Sequence, residues 1–175
     1  IVASGSQKGY MIPPGLSFIS VSKKAWEATE KSNLPKFYLN LKSYRKSLLN
    51  NSNPYTPAVN LVFALDEALK MMRDEGLQNI FHRHNKHKLA MSKAVKSLNL
   101  KLFADEKYLS PSITAIQIEE MDAEEFRKII KNKFDILLAG GQDHLKGKIF
   151  RVGHLGYIND RDIITVISAI PVPGA

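Results

Sequence analysis

Short apolar runs and turn residues alternate at the start of the chain. Residues 1–4 and 16–21 are mostly apolar and predict two strands, the second of them well buried. Ser22 is a favourable N-cap, so a helix is expected from there to about Glu30. A further short helix is expected near residues 41–48. The opening segment is therefore predicted to combine two strands with short helices and loops.

A long helix is predicted next, beginning at Thr56 and ending at Gly76. Thr56 is the expected N-cap, and Pro57 suits the first helical position because its missing N–H has no helical partner there. One face of this helix is apolar at helical spacing, through Val59, Val62, Leu65, Leu69 and Met72. Gly76 marks the expected boundary between two parts, residues 1–75 and residues 76–175.

The second part predicts an α+β unit. A helix should run to about Leu98, with His84 on its apolar face as a packed core histidine. Helices are also expected from Asp122 to about Lys131, and from Asn159 or Asp160 to about residue 170. The predicted strands cover residues 100–103, 114–119, 134–139 and 148–152. Helices over one face of a small, largely antiparallel sheet would form this unit.

Composition indicates a soluble globular chain with a substantial core. The 175 residues are 44% hydrophobic and 24% charged, and none is cysteine. No thiolate metal site or disulfide is possible within them, which fits a reducing compartment. No apolar run reaches the roughly 20 residues of a membrane span, and no signal peptide is recognised. We therefore expect a cytoplasmic protein without membrane association. The strand-like start at Ile1, without an initiator methionine, suggests a fragment.

The net charge of +8 raises the question of an anionic partner. Basic residues are spread along the chain, with one modest cluster at residues 82–88. That cluster has few aromatic neighbours and no carboxylate or cysteine to complete a metal set. A solvated basic surface is the preferred interpretation, and neither nucleic acid nor metal binding is predicted.

The candidate chemistry begins at Lys8. It follows a strand and lies in the small-residue turn Ser4-Gly5-Ser6-Gln7-Lys8-Gly9, before Pro13-Pro14-Gly15. A lysine buried at such a position would be desolvated and nucleophilic towards an aldehyde. Small neighbours would allow backbone N–H groups to approach a phosphate. Spacing alone makes this a weak indication, since most lysines after a strand are solvated.

Residues 4–22, from Ser4 to Ser22, closely resemble the cofactor-lysine segment of class V pyridoxal phosphate (PLP)-dependent aminotransferases. Within the family, the alanine–glyoxylate and serine–pyruvate aminotransferases are the most similar. The resemblance implies that Lys8 holds the cofactor covalently and that Gln7 contacts its phosphate. Residues 53–59 resemble the segment that reaches the phosphate of the partner's cofactor in the homodimer, with Thr56 at the family's threonine. Asn53 occupies the position of a phosphate-binding tyrosine of some members, and Tyr55 is a possible substitute.

A third match lies near the other end. Gly140-Gly141-Gln142 and residues 148–156 resemble the family's substrate-binding segment, and the arginine that binds the substrate α-carboxylate falls on Arg151. A planar guanidinium suits this task because it pairs with a carboxylate through two parallel hydrogen bonds. The tail of residues 171–175 does not resemble the family's usual helical ending.

The resemblance implies an α/β fold: the C-terminal part of a PLP fold-type I aminotransferase. Residues 1–75 would end the large PLP-binding domain, and residues 76–175 would form the small α+β domain. The implied reaction is transamination between alanine or serine and glyoxylate or pyruvate. In the family, the acid at the pyridine nitrogen, the stacking aromatic group and the phosphate-binding turn all precede the lysine. These 175 residues alone are therefore expected to bind PLP weakly and to be inactive.

Three alternatives are kept, and a basic nucleic-acid-binding module is the third of them. A cysteine desulfurase-like lyase is disfavoured, because those enzymes need a cysteine downstream of the lysine and tend to have histidine where Gln7 stands. A non-catalytic interaction subunit is the second, since some relatives of the family bear the name of a soluble hydrogenase small subunit. With no cysteine, the chain itself supplies no thiolate for an iron–sulfur or nickel site.

Overall fold

The computed structural model describes residues 1–170 of the chain. The chain forms two compact units, the first spanning Ile1–Met71 and the second beginning at Met72. The assignment of residues 1–75 and 76–175 to a large and a small domain stays a prediction. The tail of residues 171–175, with its unusual ending, lies outside the described residues.

The first unit contains a two-stranded ribbon and helices. Strand β1 (Val2–Gly5) pairs antiparallel with β2 (Ser17–Ser20), and Val2 lies opposite Ser20. The helices are α1 (Lys23–Lys31), α2 (Leu41–Leu49) and α3 (Val59–Glu75), which continues beyond Met71. Ser22 caps α1 as predicted, since its hydroxyl oxygen accepts the Ala25 amide. The predicted strands and short helices of this segment are thus confirmed.

The predicted burial of the second strand is wrong. Ile19 in β2 is 51% exposed, and Val2 in β1 is 70% exposed. Apolar composition indicates a strand that will be covered, but burial requires another layer, and none packs on this ribbon within the described residues of the unit. The ribbon therefore presents apolar side chains to solvent.

The predicted N-cap of α3 is also wrong. The helix begins at Val59, and the carbonyl oxygen of Ala58 accepts the first helical hydrogen bond, from the Val62 amide at 3.1 Å. Thr56 is exposed and lies outside the helix. Ala58 takes the capping place through its backbone alone, without the side-chain bond that favours threonine. The apolar face of α3 is only partly covered, since Val62 is 47% exposed.

The second unit is a four-stranded antiparallel sheet with helices. Its strands are β3 (Lys101–Leu102), β4 (Ile113–Gln117), β5 (Ala139–Gly140) and β6 (Ile149–Gly153), in the order β3-β4-β6-β5. Its helices are α4 (Leu77–Ser97), α5 (Ala123–Phe134) and α6 (Asp160–Ala169). This is the predicted α+β arrangement. Asp122 and Asn159 cap α5 and α6 through their side chains, as expected from the sequence.

The core of this unit lies between the sheet and its helices. Phe150 of β6 is fully buried, and its ring centroid lies 4.6 Å from that of Phe126 in α5. Met91 of α4 and Ile163 of α6 belong to the same cluster. Each such side chain contributes about 1.5–3 kcal/mol through burial. The sheet that carries Arg151 is thus anchored on one face by a packed core.

Two expectations for this unit are corrected. The strand predicted over residues 134–139 begins only at Ala139, the first residue of β5, because α5 continues to Phe134 and Asp135 then adopts a left-handed conformation with φ 54°. Aspartate tolerates that conformation better than most residues, so it can end a helix where no glycine is present. The buried histidine of α4 is His87, not His84, which is only half-buried. The two positions are three residues apart and share a helix face.

Candidate active site

The Lys8 turn is held by one buried side chain. Ser6 is fully buried, and its hydroxyl donates to the carbonyl of Pro13 at 2.8 Å. The same hydroxyl oxygen accepts the amide of Leu16 at 3.2 Å. The Ser6 backbone adds a bond from its amide to the Leu16 carbonyl at 3.1 Å, and its carbonyl accepts the Ile12 amide at 3.3 Å. These four bonds join Ser6 to Ile12, Pro13 and Leu16, and they close the loop of residues 6–16. In the sequence, Ser6 was notable only as a small residue.

Lys8 itself is exposed. Its amide donates to the Gly5 carbonyl at 3.4 Å, and its own carbonyl accepts the Met11 amide at 3.0 Å. The backbone therefore makes a compact turn around the lysine. The burial expected from the sequence is not provided by the described residues, because the ribbon is open to solvent. The amine is instead free to reach a ligand.

The neighbours of Lys8 suit a phosphorylated aldehyde. Gln7 is exposed and folds over Gly5, where an added Cβ would lie 2.8 Å from the Gln7 Oε1 atom. Gly9 faces open space, with nothing within 4 Å of an added Cβ. A primary amine, an adjacent carboxamide donor and room beside them match the aldehyde and the phosphate of PLP. The donor set of this turn therefore fits the cofactor.

The segment before α3 contains the other predicted phosphate residues. Asn53 and Thr56 are exposed, and nothing in the first unit occupies their side chains with a hydrogen bond among the described residues. The Tyr55 hydroxyl donates to the Phe37 carbonyl at 3.2 Å, and its ring packs on Tyr38 at 4.6 Å. Tyr55 is thus engaged within its own unit, whereas Thr56 is available.

Arg151 lies in the middle of β6 and is half-buried. Its register partners on the two neighbouring strands are Ala115 and Ala139, whose methyl groups leave space around the long side chain. The Arg151 Nε donates to the carbonyl of Gly140 at 2.8 Å. Within residues 1–170, its two Nη groups make no hydrogen bond or ion pair. A guanidinium held at Nε presents its paired Nη edge to a carboxylate.

The chain directly after Arg151 is fixed by residues that the sequence did not single out. His154 is fully buried, with Nε2 at 2.8 Å from the Thr114 hydroxyl and Nδ1 at 3.0 Å from the Pro111 carbonyl. Burial lowers the pKa of His154, which favours its neutral form. A buried histidine next to a glycine could have been suspected from sequence, but its partners lie about 40 residues away.

Arg83 holds the same region from α4. Its Nη1 donates to the carbonyls of Gly156 and Ile158 at 3.0 and 2.7 Å. Its Nε and Nη2 donate to the two carboxylate oxygens of Glu75 at 2.6 and 2.9 Å. The hydrogen bonds with Arg83 lower the pKa of Glu75, and those with Glu75 raise the pKa of Arg83. One arginine of the basic cluster is therefore structural.

Two further residues of the basic cluster, His82 and Lys86, face an open groove. It is lined by His82, Arg83, Lys86, Asn159, Asp160 and Arg161. Lys86 and His87 both pair with Asp160, whose pKa is lowered chiefly by these hydrogen bonds. No group of three or more metal-ligating side chains is found over residues 1–170. Nor, over the same residues, is any helix long and apolar enough for a membrane span.

The sequence and the fold together show the family to which the chain belongs. A profile of class V aminotransferases matches residues 1–155, and the chain belongs to that family. Its members depend on PLP. Solved structures of aminotransferases of PLP fold type I superpose on the chain, which confirms the predicted fold class.

Individual proteins are similar to this chain over nearly all of its length. The chain is 56% identical over 172 residues to the "soluble hydrogenase 42 kDa subunit" of Anabaena cylindrica, covering 98% of this chain and 45% of that protein. It is 35% identical over 172 residues to the serine–glyoxylate aminotransferase of Methylorubrum extorquens, covering 94% and 43%. The crystal structure of alanine–glyoxylate aminotransferase from Nostoc sp. superposes with a TM-score of 0.84 at 28% identity, over 96% and 46%. The chain thus spans less than half the length of these relatives.

Proposed function

We propose that the protein carrying this chain catalyses PLP-dependent transamination between a small amino acid and a 2-oxo acid. Alanine or serine is the proposed donor, and glyoxylate or pyruvate the proposed acceptor. The names of the similar aminotransferases from Methylorubrum and Nostoc support this substrate class. The observation that carries the proposal is the exposed Lys8 amine on a turn fixed by buried Ser6.

The cofactor would be held by Lys8 through its amine, with the Gln7 carboxamide towards the phosphate. When bound, PLP supplies an electron sink that stabilises negative charge at the substrate Cα. Thr56, with its exposed hydroxyl, would serve the phosphate of the partner subunit's cofactor in a homodimer. The family's remaining cofactor contacts precede the lysine, so these 175 residues alone are proposed to bind PLP weakly and to be inactive.

Arg151 would bind the substrate α-carboxylate. Its Nε is already engaged by Gly140, so the two Nη groups are oriented together and can form a bidentate pair. Such a pair fixes both the position and the direction of the carboxylate, and therefore of the Cα–H bond. Correct orientation of that bond is a prerequisite for its proton transfer.

Lys8 would also act as the general base and acid. Once the incoming amino acid has displaced it, the Lys8 amine is free to take the proton from Cα and return it to the C4′ carbon of the cofactor. The exposed side chain would permit this movement, while the backbone, held by the Ser6 hydrogen bonds, would fix the base of the side chain.

A second candidate function is a non-catalytic subunit of a larger assembly. The relative from Anabaena that bears a hydrogenase name favours it, at 56% identity. The two functions differ at Lys8, because a purely structural subunit has no need of its amine. The cytoplasmic location predicted from the sequence is part of the first proposal.

The deciding experiment is Lys8→Ala in the protein that carries this chain. The protein is incubated with PLP, reduced with borohydride and digested, and the lysine peptides are examined by mass spectrometry. The expected result is a pyridoxyl adduct on Lys8 that disappears in Lys8→Ala. The control is Lys24→Ala, which removes another exposed lysine and should leave the adduct intact. An adduct found in the parent on another lysine instead, and undiminished in Lys8→Ala, would refute the assignment.

A further inference from the structure

Two arginines hold carbonyls at the edge of the sheet, one within β5 and one directly before it. Arg151 Nε binds the Gly140 carbonyl at 2.8 Å, and Arg127 Nε on α5 binds the Leu138 carbonyl at 2.8 Å. The two carbonyls are two residues apart, so they belong to the same side of an extended segment. The edge strand is therefore attached to the helix layer by one arginine and orients the other.

Arg127 is itself fixed by an ion pair. Its Nη1 lies 2.6 Å from Oε2 of Glu124, one helical turn earlier, and the two side chains are only 25% and 30% exposed. This pair lies directly against Gly140. An added Cβ there would be 2.6 Å from Arg127 Nη1 and would collide with Glu124 Oε1. The backbone of Gly140 is thus in close contact with the pair, and any side chain at this position would displace one of them.

The edge strand is short: β5 contains two residues, both paired with β6. Directly after it, the Gly141 amide donates to the Ile149 carbonyl at 3.1 Å, and directly before it the Leu138 side chain lies in the core. Short edge strands with few hydrogen bonds open easily. A shift of β5 would move the Gly140 carbonyl and with it the direction of the Arg151 guanidinium. The hydrogen bond from Arg127 on α5 therefore affects the orientation of Arg151.

We propose that Arg127 is a positioning residue for substrate binding, acting through β5 on Arg151. This inference rests on the proposed role of Arg151 as the carboxylate-binding residue. In this role Arg127 contacts neither substrate nor cofactor. It fixes the carbonyl that holds Arg151 Nε, so that the paired Nη edge is oriented before the carboxylate arrives.

The test is Arg127→Met in the holoenzyme, which removes the donors but keeps the length of the side chain. Propionate, which resembles alanine without its amine, serves as the unreactive carboxylate probe. The inhibition constant for propionate and the KM for the amino donor are expected to rise roughly 3- to 10-fold at unchanged kcat, the pattern of lost ground-state and transition-state binding alike. The matched control is Lys96→Met, which breaks the Lys96–Glu106 ion pair on the same unit and should change neither constant.

A second readout does not depend on activity. In a ¹⁵N-labelled protein, the Nε–H of Arg151 should exchange with water faster in Arg127→Met than in the parent, because its acceptor is less firmly held. Glu124→Gln, which keeps a hydrogen bond but not the charge, should give a smaller effect. Should Arg127→Met lower the folded fraction, Arg127→Lys replaces it, since it keeps the charge but cannot form both bonds.

The outcomes separate this inference from the function on which it rests. If Arg151→Met weakens propionate binding while Arg127→Met or Arg127→Lys leaves it unchanged, the positioning role is wrong and the carboxylate site stands. If Arg151→Met itself has no effect on propionate, the proposed role of Arg151 is wrong. Weakened binding in both variants, with Lys96→Met unchanged, supports the inference.

Discussion

The Thr114 hydroxyl and the Nε2 atom of His154 lie 2.8 Å apart in the interior of the second unit, where neither side chain has appreciable exposure. The other ring nitrogen of His154 is next to a carbonyl, which can only accept, so Nδ1 carries the hydrogen and Nε2 accepts from Thr114. The pair connects β4 with the segment that follows Arg151.

Replacing Thr114 with Val should destabilise the second unit by about 1–3 kcal/mol, because the Nε2 atom of His154 would be buried without a donor. Urea unfolding followed by far-UV circular dichroism measures the change. Thr114→Ser keeps the hydroxyl and is the matched control, with a smaller loss expected. Equal losses in the two variants would show that the methyl group, not the hydrogen bond, matters.

The buried His154 should make stability depend on pH. Its pKa is lowered in the folded chain, from about 6.5 for a free histidine, because burial disfavours the charged ring. Below that value the unfolded chain takes up a proton that the folded chain does not, so unfolding becomes easier as pH falls. The stability that depends on neutral His154 is therefore fully present above about pH 6.5, and it is lost as the pH falls from there towards the lowered pKa.

Comparing the parent with His154→Gln between pH 8 and pH 5 measures this contribution. The variant is expected to be less stable at pH 8, but to lose less of its stability on acidification. A slope that is the same in both proteins would contradict the assignment to His154.

Breaking the Arg83 network should be among the most damaging changes on α4. Arg83→Lys keeps the charge but cannot serve both Glu75 oxygens and the two carbonyls at once. We expect a loss of about 2–4 kcal/mol in the free energy of unfolding, as for other partly buried charge networks. Arg161→Lys changes an exposed arginine and serves as the control. A loss confined to a few tenths of a kcal/mol would contradict the network's importance.

The Ser6 hydroxyl should control the stability of the Lys8 turn. Ser6→Ala leaves the Pro13 carbonyl and the Leu16 amide without their partner and is expected to cost about 1–3 kcal/mol. The single tryptophan, Trp26, lies in the first unit, so its fluorescence during urea unfolding reports on that unit. Ser52→Ala removes a hydroxyl from an exposed loop and is the control. Comparable midpoints for the two variants would rule out the proposed role of Ser6.

Substitution of Arg151 should act on substrate binding. Arg151→Lys loses both the bond to Gly140 and the paired donors, so the KM for the amino acid is expected to rise roughly 10- to 100-fold, as for one or two charged hydrogen bonds. Steady-state kinetics of the protein carrying this chain would measure it. The covalent adduct at Lys8 should be unaffected. Loss of the adduct as well would indicate a wider structural defect.

Local signals in the sequence were sufficient for much of the fold. Ser22, Asp122 and Asn159 cap their helices as expected, because capping depends on a side chain and backbone amides two or three residues away. The antiparallel sheet and the family followed from pattern and motif. The exposure of Ile19 could not be predicted, because it depends on which other layers are present. Apolar composition alone does not say what covers a strand.

The residues that support the candidate site could not be predicted from the sequence, for a different reason. Arg127 and Leu138 are 11 residues apart, Thr114 and His154 are 40 apart, and no local pattern connects either pair. Lys8, Gln7, Thr56 and Arg151 could be predicted as site residues because each lies in a motif. Their partners are set by strand register and helix packing, which only three-dimensional structure provides.

The hydrogen bonds of Ser6 have a consequence for cofactor capture. They form entirely within residues 6–16, so the turn carrying Lys8 acquires its backbone conformation when the chain folds. The conformational entropy of that turn is therefore lost during folding and not on encounter with PLP. In the proposed attachment of PLP to Lys8, the rotamers of the lysine side chain would remain to be restricted at that moment, and the backbone of the site would be preorganised.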